Sequence, residues 1–564
     1  MRAKQNRQTF QLSLKIIVLP LSIFSLSACS LLSYVTATKS VTTQKRPNIL
    51  FIMSDDHAYQ AISAYGSKLI DTPNIDRLAK QGMRFTNASV TNSICAPSRA
   101  TILTGKHTHI NGKIDNRMPF DDSQQTFPQI FQKNGYQTAM FGKLHFGNNP
   151  KGVDDFMILP GQGDYINPDF VTKQGTVRKQ GYVTDIITDE TLKWLKQDRD
   201  ESKPFMLAYL HKAPHRSWWP RADKFAEYYG KQFPLPETLF DDYATRGAAA
   251  KTAEMTISHF MLPVKDTKVS ADRYDPRYEP YVDARDNIGV FERQYTNRAT
   301  PEQKIEYEKV LSQIAKDYNQ NWPTMTDKEK TIWKYQRYMQ DYLATISSVD
   351  DNIGRVLDYL DESGLAENTL VVYTSDQGFF LGEHGWFDKR FAYQESMKTP
   401  LLVRWPAKIK GNQVSDELVQ NLDYAQTFLD AAGIAQPSDM QGQSFLPLLT
   451  GETHKWHRNG VYYHYYEYPG AHEVKRHYAI MTKQYKLIHF YHDVDEWELF
   501  DLKKDPSELD NVYQHRDYQQ VVKSLKQELN ELRNEYKDST ELAQQFIHKT
   551  KNWTNNKNKK SSKH

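Results

Sequence analysis

Two pairs of oxygen-bearing side chains stand far apart in the sequence, each shortly after an apolar run. Asp55 and Asp56 follow the run ILFIM, and Asp376 and Gln377 follow the run LVVY. Adjacent carboxylates repel each other unless a cation holds them, although a turn or a helix cap is the common structural use of an Asp pair. Four oxygen donors from two strand ends suit a hard divalent cation, calcium or magnesium. Zinc is disfavoured, because the chain has few cysteines and few clustered histidines to bind it.

A cysteine without a disulfide partner provides a second chemical feature. Cys95 lies in the stretch SICAPSRATILTG, and the only other cysteine is Cys29. A lone thiol is either buried and inert or chemically special. The pattern predicts a short helix that has Pro97 at its first position and ends at Gly105. Cys95 would then lie at a helix N-terminus, which favours an anion, and Arg99 adds positive charge. Together with a metal, these features describe a site for a tetrahedral oxyanion ester.

Two further strand-like segments also end in residues that can do chemistry. TAMFGKLH contains Lys143 and His145 at its end, and PFMLAYLHKAPH ends at His215. Apolar runs without alternation are typical of parallel strands buried on both faces. Helical segments, at 74–82 and about 331–349, lie between these strands. The sequence therefore predicts an α/β fold with a large, mostly parallel mixed sheet flanked by helices, whose strand ends gather at one ligand-binding edge.

The rest of the chain divides by composition. We expect a catalytic α/β domain at 46–458, with an irregular insertion at about 236–323. Tyr-rich, roughly alternating segments predict a smaller C-terminal α+β domain at 459–545, built on an antiparallel sheet with one solvated face and followed by a helix with a charged outer side. The tail at 546–564 is basic and has no apolar face, so it is predicted to be disordered.

The N-terminal segment has the features of an export signal. A basic MRAKQNR precedes the apolar stretch IIVLPLSIFSLSA, which is shorter than the ~20 residues that span a bilayer. The stretch ends in LSAC, which resembles a bacterial lipobox. That resemblance implies a lipoprotein signal peptide at 1–28, lipid on Cys29, a linker at 29–45, and a protein anchored to the membrane in the periplasm or at the cell surface. Plain secretion is the alternative. The net charge of +3 gives no argument for a nucleic-acid partner.

The stretch CAPSRATILTG resembles the signature of the sulfatase family, Cys-x-Pro-Ser-Arg followed by Thr-Gly after a short apolar helix. The resemblance extends from PNILFIMSDD to WELFDLKKDP and is closest to bacterial polysaccharide sulfatases, through SDQGFFLGEHGWFDKR and KAPHR. It implies hydrolysis of sulfate esters of a sulfated polysaccharide or its oligosaccharides, which we expect to be algal. A glycosaminoglycan sulfatase and a phosphodiesterase or phosphonate ester hydrolase are alternatives within the superfamily. A lipoprotein that binds sulfated glycans without cleaving them is the alternative from another class.

The resemblance also implies cofactors. A formylglycine-generating maturation enzyme would oxidise Cys95 to formylglycine (3-oxoalanine), whose hydrate attacks sulfur. One calcium ion would be bound by this residue and by Asp55, Asp56, Asp376 and Gln377. Many relatives have Asn or His at the position of Gln377, so this chain departs from the pattern there, although an amide oxygen still binds calcium.

Roles for the other polar residues follow from the same resemblance. Arg99 would hold the hydrate and the sulfate group, and His215 would protonate the leaving alcohol. The residues implied to steady the nucleophile or the sulfate oxygens are Lys143, His145 and Lys389. Four residues are expected to contact the anionic sugar, with a turn cap or a plain surface cluster as the structural alternatives: His384 in GEHG, and His472, Arg476 and His477 in GAHEVKRHY.

Overall fold

The apolar runs of the sequence form neighbouring strands of one large sheet. The computed structural model describes residues 46–274 and 284–561, and the side chains of all of these except 284–286 and 551–561. The predicted signal peptide, Cys29 and the linker lie outside the described residues. Within the described ranges, no helix has the length and apolarity needed to cross a membrane. The strands are β1 Asn48–Ser54, β2 Met83–Ser89, β3 Gln137–Gly142, β4 Asp155–Ile158, β5 Asp169–Thr172, β6 Gly175–Arg178, β7 Phe205–Leu210, β8 Thr369–Ser375, β9 Phe380–Leu381, β10 Phe387–Asp388, β11 Leu401–Arg404, β12 Gln413–Gln420, β13 Val461–Tyr465, β14 His477–Met481, β15 Tyr485–Phe490 and β16 Glu496–Asp501.

The four chemistry-bearing strands lie side by side in the middle of the sheet. Ten strands pair in the order β12-β2-β11-β8-β1-β7-β3-β4-β5-β6. β8, β1, β7 and β3 run parallel, so their carboxyl ends meet at one edge. In β1, Leu50 and Ile52 face one apolar layer, whereas Ile49, Phe51 and Met53 face the other. This explains the apolar run without alternation and confirms the predicted α/β fold.

Helices cover both faces of the sheet. On one side pack α1 (Pro73–Lys80), α5 (Val183–Lys193), α10 (Pro301–Asn321) and α11 (Asp327–Glu362), and on the other α4 (Phe127–Lys133) and α13 (Tyr424–Ala431). The helix α11 begins at a capping box between Thr326 and Glu329. The prediction of a helix at 331–349 is confirmed, and the helix extends beyond it in both directions. The helices are α1 Pro73–Lys80, α2 Cys95–Thr104, α3 Thr108–Asn111, α4 Phe127–Lys133, α5 Val183–Lys193, α6 Ala222–Tyr228, α7 Ala248–Lys251, α8 Ile257–Phe260, α9 Ala284–Phe291, α10 Pro301–Asn321, α11 Asp327–Glu362, α12 Gln394–Met397, α13 Tyr424–Ala431, α14 Leu446–Leu449, α15 Gln519–Glu535 and α16 Thr540–Ser561.

The segment predicted as an irregular insertion at 236–323 is irregular over most of 236–274 but largely helical from residue 284 onward. It contains α7, α8, α9 and α10, and α10 is 21 residues long. Tyr307, Leu311, Ile314 and Tyr318 of α10 are buried at helical spacing, and Thr300 caps the helix with Gln303. The polar residues between these positions concealed the periodicity when the segment was judged by its mean polarity.

The C-terminal sheet, β13-β14-β15-β16, is antiparallel as expected. Both of its faces are buried, however. One face packs on residues of the main body such as Trp386 and Tyr393, and the other packs on α15 through Val522 and Leu529. The prediction of one solvated face was wrong because the helix predicted to follow the sheet covers that face.

The chain is helical where the sequence predicts a disordered tail from residue 546. The helix α16 begins at Thr540, and the described part of it buries Ala543 and Ile547. The ring of Phe546 contacts that of Tyr466 at 5.7 Å between centroids. The small apolar face of residues 543–547 is what the composition of the tail did not reveal.

Gly378 allows the loop after β8 to pack tightly. Its backbone N–H donates to the carbonyl oxygen of Ser396 at 3.0 Å. A Cβ atom at this position would overlap the carbonyl oxygens of Glu395 and Lys398, which are backbone atoms and cannot rotate away.

We therefore expect Gly378→Ala to lower the free energy of unfolding by about 1–3 kcal/mol, the usual effect of overpacking. Gly289→Ala is the matched control, because a Cβ there meets open space on a helix and should be neutral or stabilising by about 0.5–1 kcal/mol. Thermal unfolding of both variants measures the difference, and equal melting temperatures would contradict the packing argument.

Candidate active site

Three carboxylates from two strand ends converge at the carboxyl edge of the sheet. Oxygen atoms of Asp55, Asp56 and Asp376 lie within 4.8 Å of one another, and all three residues are fully buried. Asp55 and Asp56 directly follow β1, and Asp376 directly follows β8. The backbone N–H of Asp56 donates to Asp376 Oδ1 at 3.1 Å. The parallel pairing of β1 with β8 thus brings together the two pairs of residues identified in the sequence.

Three basic side chains surround this cluster. Lys143 Nζ pairs with Asp55 Oδ2. Arg99 donates from Nε to Asp376 Oδ2 at 2.9 Å and places Nη2 3.6 Å from Asp55 Oδ2. Lys389 Nζ donates to both oxygens of Asp56, at 2.5 and 2.7 Å. Each carboxylate of the cluster therefore has a cationic partner, as buried charges require.

The carboxyl groups differ in how readily they ionise. Burial alone would raise the pKa of Asp55, but Lys143, His215 and Arg99 hold it well below its usual range. Burial raises the pKa of Asp56 to about 6 against the effect of Lys389. Burial and the neighbouring Asp55 raise the pKa of Asp376 to about 7. The raised pKa values mean that the basic side chains do not fully offset the burial of Asp56 and Asp376, and further positive charge would favour their ionised forms.

Cys95 is the first residue of α2 and lies against the carboxylates. Its Sγ is 3.3 Å from Asp55 Oδ1, 3.5 Å from Lys389 Nζ and 3.7 Å from Gln377 Nε2. The sequence predicts Pro97 as the first residue of this helix. Pro97 is the third, because the helix begins at Cys95 itself. Burial and Asp55 raise the pKa of the Cys95 thiol. The thiol is therefore protonated and a poor nucleophile in this form.

Gln377 completes a donor set for a hard cation. Its Nε2 donates to Asp56, whereas its Oε1 is buried and has no hydrogen-bond partner among the described residues. A buried amide oxygen without a partner is costly, so it is a natural position for a metal ligand. Three carboxylates and an amide oxygen are the ligand types of calcium or magnesium, and these residues fit such an ion.

His215 faces the cluster from the end of β7. Its Nδ1 lies 2.6 Å from the carbonyl oxygen of Arg216, an acceptor, so Nδ1 carries a proton. Its Nε2 is 3.8 Å from Asp56 Oδ2. Burial and Lys143 hold the pKa of His215 well below its usual range. His215 also forms a mixed triad with Asp55 and Cys95, whose ligand atoms lie within 4.8 Å of one another.

Lys143 and His145 follow β3 at the same edge. Lys143 Nζ also donates to Gln162 Oε1, and the Lys143 carbonyl oxygen accepts from Arg99 Nη1. His145 has a left-handed backbone, with φ of 70°, and its buried Nδ1 has no hydrogen-bond partner among the described residues. Burial and Lys143 hold its pKa well below the usual range.

His384 forms no hydrogen bond or ion pair with the three carboxylates within the described part of the chain, and its contact with substrate stays a prediction. It is fully buried, with Nδ1 3.2 Å from Asp241 Oδ2 and 3.1 Å from Arg246 Nη1, and its ring lies 5.2 Å from that of Trp386. Its left-handed φ of 56° lies in a short turn. The structural alternative, a residue that stabilises a turn, describes its position.

The predicted sugar-binding cluster GAHEVKRHY also divides. Arg476 is buried, and its guanidinium donates to Asp493 and to the carbonyl oxygens of Tyr466 and Tyr468, so most of its N–H groups are already used within the protein. His477 is fully buried, and both of its ring nitrogens have partners: Nδ1 lies 2.8 Å from the Lys475 carbonyl oxygen, and Nε2 accepts from the Ala392 N–H. Their contact with a sugar stays a prediction, which their burial and these hydrogen bonds do not favour.

His472 alone of this cluster approaches the site. Its Nε2 is 2.9 Å from Asp388 Oδ2, and Asp388 directly precedes Lys389. The residue has a left-handed backbone, with φ of 62°, in the connection between β13 and β14.

Several residues near the site were missed by sequence reasoning. Asp388 and Arg390 flank Lys389 in FDKR, and this proximity was an available signal. Arg390 donates to Asp388 at 3.3 Å and to Glu467 at 3.1 Å. Glu467 accepts from the N–H of Asn116, whose Oδ1 accepts from the second residue of α2 at 3.2 Å. Glu467 and Asn116 gave no local signal because only the fold brings them together.

Comparisons with known proteins agree with this geometry. A sequence model of the sulfatase family matches residues 47–434, and one of the N-sulphoglucosamine sulphohydrolase C-terminal region matches residues 382–535. The chain is 45% identical over 529 residues to an N-acetylglucosamine-6-O-sulfatase of Bacteroides thetaiotaomicron, which covers 93% of this chain and 91% of the relative.

Solved structures show the same relationship. A structure in complex with its substrate, D-glucosamine-2-N,6-O-disulfate, superposes with a TM-score of 0.83 and 46% identity, over 88% of this chain and 99% of the other. A structure in complex with a neocarrahexaose has a TM-score of 0.59 at 19% identity, over 87% and 94%, which shows the fold alone. With the family match over most of its length, this chain belongs to the sulfatase family and is a sulfuric ester hydrolase.

Proposed function

We propose that this sulfatase removes sulfate from the 6-position of glucosamine residues in glycosaminoglycan-type saccharides. The observation that carries the chemistry is Cys95 at a helix N-terminus, enclosed by three carboxylates and three cations. The sugar is supported by the relatives at 45% and 46% identity, which act on or bind sulfated glucosamine. The carrageenan-type ligand belongs to a structure at 19% identity and supports no substrate. We therefore propose the glycosaminoglycan alternative in place of an algal polysaccharide.

We propose further that Cys95 is converted to formylglycine and that one calcium ion is bound by Asp55, Asp56, Asp376 and Gln377. The raised pKa of the thiol supports the first point, since the unmodified side chain is a poor nucleophile. The unpartnered Gln377 Oε1 supports the second. When present, the aldehyde hydrate supplies the nucleophilic hydroxyl, and the cation supplies Lewis acidity toward the sulfate oxygens.

The basic side chains stabilise negative charge on the sulfonate oxygens. Lys143, Arg99 and Lys389 approach the cluster from three different elements and are nearly inaccessible to solvent. Positioned charges in such a dry site act more strongly than in water and need no rearrangement during the reaction.

His215 supplies the proton for the leaving alcohol in its doubly protonated form, which a bound sulfate anion favours against the burial and the Lys143 charge that lower its pKa. Its Nδ1–H is fixed on the Arg216 carbonyl, so Nε2 is the atom that exchanges a proton at the cluster. Sugar alkoxides are poor leaving groups, and general acid catalysis contributes about 10²–10⁴-fold in such cases. Asp388 and His472, hydrogen-bonded to each other beside Lys389, offer polar groups for sugar hydroxyls.

We propose that the protein is exported and anchored in the periplasm or at the cell surface through lipid on Cys29. The support is the basic segment, the short apolar stretch and LSAC at the N-terminus. The maturation enzyme and the membrane are then its expected partners.

Cys95→Ala should abolish sulfate release from glucosamine 6-sulfate and from glucosamine-2-N,6-O-disulfate, by on the order of 10³-fold or more in kcat, because the nucleophile is removed. Ion chromatography of released sulfate measures this. Cys29→Ser, which removes the other cysteine, is the matched control and should retain activity in a detergent-solubilised preparation.

Peptide mass spectrometry accompanies this experiment, using protein made with the maturation enzyme. The peptide containing Cys95 should lose sulfur and hydrogen and gain oxygen. An unmodified peptide in active enzyme would contradict the formylglycine proposal. Faster turnover of a phosphate diester than of any sulfate ester would favour the phosphodiesterase alternative, and binding without release would favour the binder.

Gln377→Leu should weaken calcium binding at least about tenfold, because it removes an oxygen ligand while keeping a similar volume. Isothermal titration calorimetry of the metal-free protein with calcium measures this without relying on activity. Gln377→Asn retains the amide and should recover part of the affinity. Unchanged calcium affinity in the leucine variant would exclude Gln377 as a ligand.

Cys29→Ser should also move the protein from the membrane fraction to the soluble exported fraction, since its only proposed anchor is lost. Fractionation of cells by ultracentrifugation, with immunodetection, measures the shift. Membrane association that persists in the variant would show that lipid on Cys29 is not the anchor.

A further inference from the structure

One loop contacts two of the residues that would act on sulfate. The loop at 162–167 places Gln162 Oε1 on Lys143 Nζ. Three residues later, the hydroxyl of Tyr165 donates to the carbonyl oxygen of His215 at 2.6 Å. The loop therefore contacts both Lys143, directly after β3, and His215, in the segment after β7.

Tyr165 is held rigidly in this position. It is fully buried, and its ring stacks on that of Tyr182 at 6.1 Å between centroids. Lys212 Nζ lies over the Tyr165 ring, 4.5 Å from its centroid. A buried tyrosine hydroxyl needs a hydrogen-bond partner, and here the partner is a backbone atom of the candidate general acid.

The hydrogen bond from the Tyr165 hydroxyl to the His215 carbonyl oxygen helps to orient the His215 imidazole. His215 Nδ1 is 2.6 Å from the Arg216 carbonyl oxygen, so the ring is oriented by the backbone immediately after it. Tyr165 fixes the peptide group between these two residues. The following residues are also held, by Arg216 on Asp266 at 2.6 and 2.8 Å and by Lys268 Nζ on the Ser217 carbonyl oxygen at 2.5 Å.

The insertion supports Tyr165 from behind. Gln294 lies in the turn of helix between α9 and α10, and its Oε1 accepts from the Tyr165 N–H at 2.9 Å. Its Nε2 donates to Asp164 Oδ1 at 2.8 Å, and Arg298 pairs with Asp164 at 2.7 Å. Gln294 is buried, so both hydrogen bonds are shielded from water.

We propose that Tyr165, braced by Gln294 of the insertion, is a positioning residue that aims His215 Nε2 at the leaving oxygen of the substrate. The proposal rests on the proposed function, in which His215 is the general acid. It assigns a role in catalysis to the insertion at 236–323, which has no residue among the proposed ligands or catalytic groups.

Two substrates whose leaving groups differ in their need for a proton distinguish this positioning role from a merely structural one. Tyr165→Phe removes one hydrogen bond and keeps the ring, its stacking and its contact with Lys212. It should lower kcat on glucosamine 6-sulfate about 10–100-fold with little change in KM, because a misplaced general acid costs rate more than binding. On 4-nitrophenyl sulfate, whose phenolate leaves without a proton, kcat should fall less than about threefold.

Tyr182→Phe is the matched control. Tyr182 is the buried neighbour of Tyr165, and its hydroxyl likewise donates to a carbonyl oxygen, that of Trp219 at 3.0 Å. This variant should leave the ratio of the two rates unchanged. In the insertion, Gln294→Ala should change the ratio in the same direction as Tyr165→Phe, whereas Gln313→Ala, at an exposed position of α10, should not.

Thermal unfolding and a crystal structure of the Tyr165→Phe variant accompany the rates, and we expect a normal fold with a displaced His215 ring. Equal losses on both sulfate esters, or no loss on either, would overturn the positioning role while wild-type activity still supports the proposed function. If Tyr165→Phe does not fold, the ratio of kcat on the two sulfate esters measured for Gln294→Ala tests the positioning role instead. Wild-type enzyme that releases sulfate from neither ester would overturn the proposed function and this inference together.

Discussion

The repulsion among Asp55, Asp56 and Asp376 is the constraint on which the rest of the site depends. Three fully buried carboxylates cannot share one sheet edge without compensating positive charge. The compensation comes from Lys143 directly after β3, Arg99 in α2 and Lys389 directly after β10. Because these elements are distant in sequence, the carboxylates specify how the central strands, α2 and the loop before α12 pack together.

The central part of this arrangement could be predicted because its signals are local. Asp55, Asp376, Lys143 and His215 each follow an apolar run, and parallel pairing brings the ends of those runs together whatever the intervening chain does. The helix of Cys95 was also recognisable, although its start was misplaced because a proline tolerated in the first turn was taken as the first residue.

The sequence was a poor guide where the meaning of a polar residue depends on its neighbours. Arg476 and His477 have the composition of an anion site, but in the fold Arg476 donates to Asp493 and to two carbonyl oxygens, and both ring nitrogens of His477 bond to backbone groups. Tyr165 and Gln294 gave no signal, because a tyrosine hydroxyl on a carbonyl oxygen has no sequence pattern. In both cases the deciding quantity is which hydrogen bonds are already made.

The position of β8 in the sheet determines how late in synthesis Cys95 becomes buried. β8 lies directly beside β1 but is encoded far downstream of it, as are Asp376 and Lys389, which close the site over Cys95. A chain synthesised from its N-terminus thus carries Cys95 for a long interval without the partners that bury it. An enzyme that acts on this thiol has access during that interval, and afterwards only when the pocket locally unfolds.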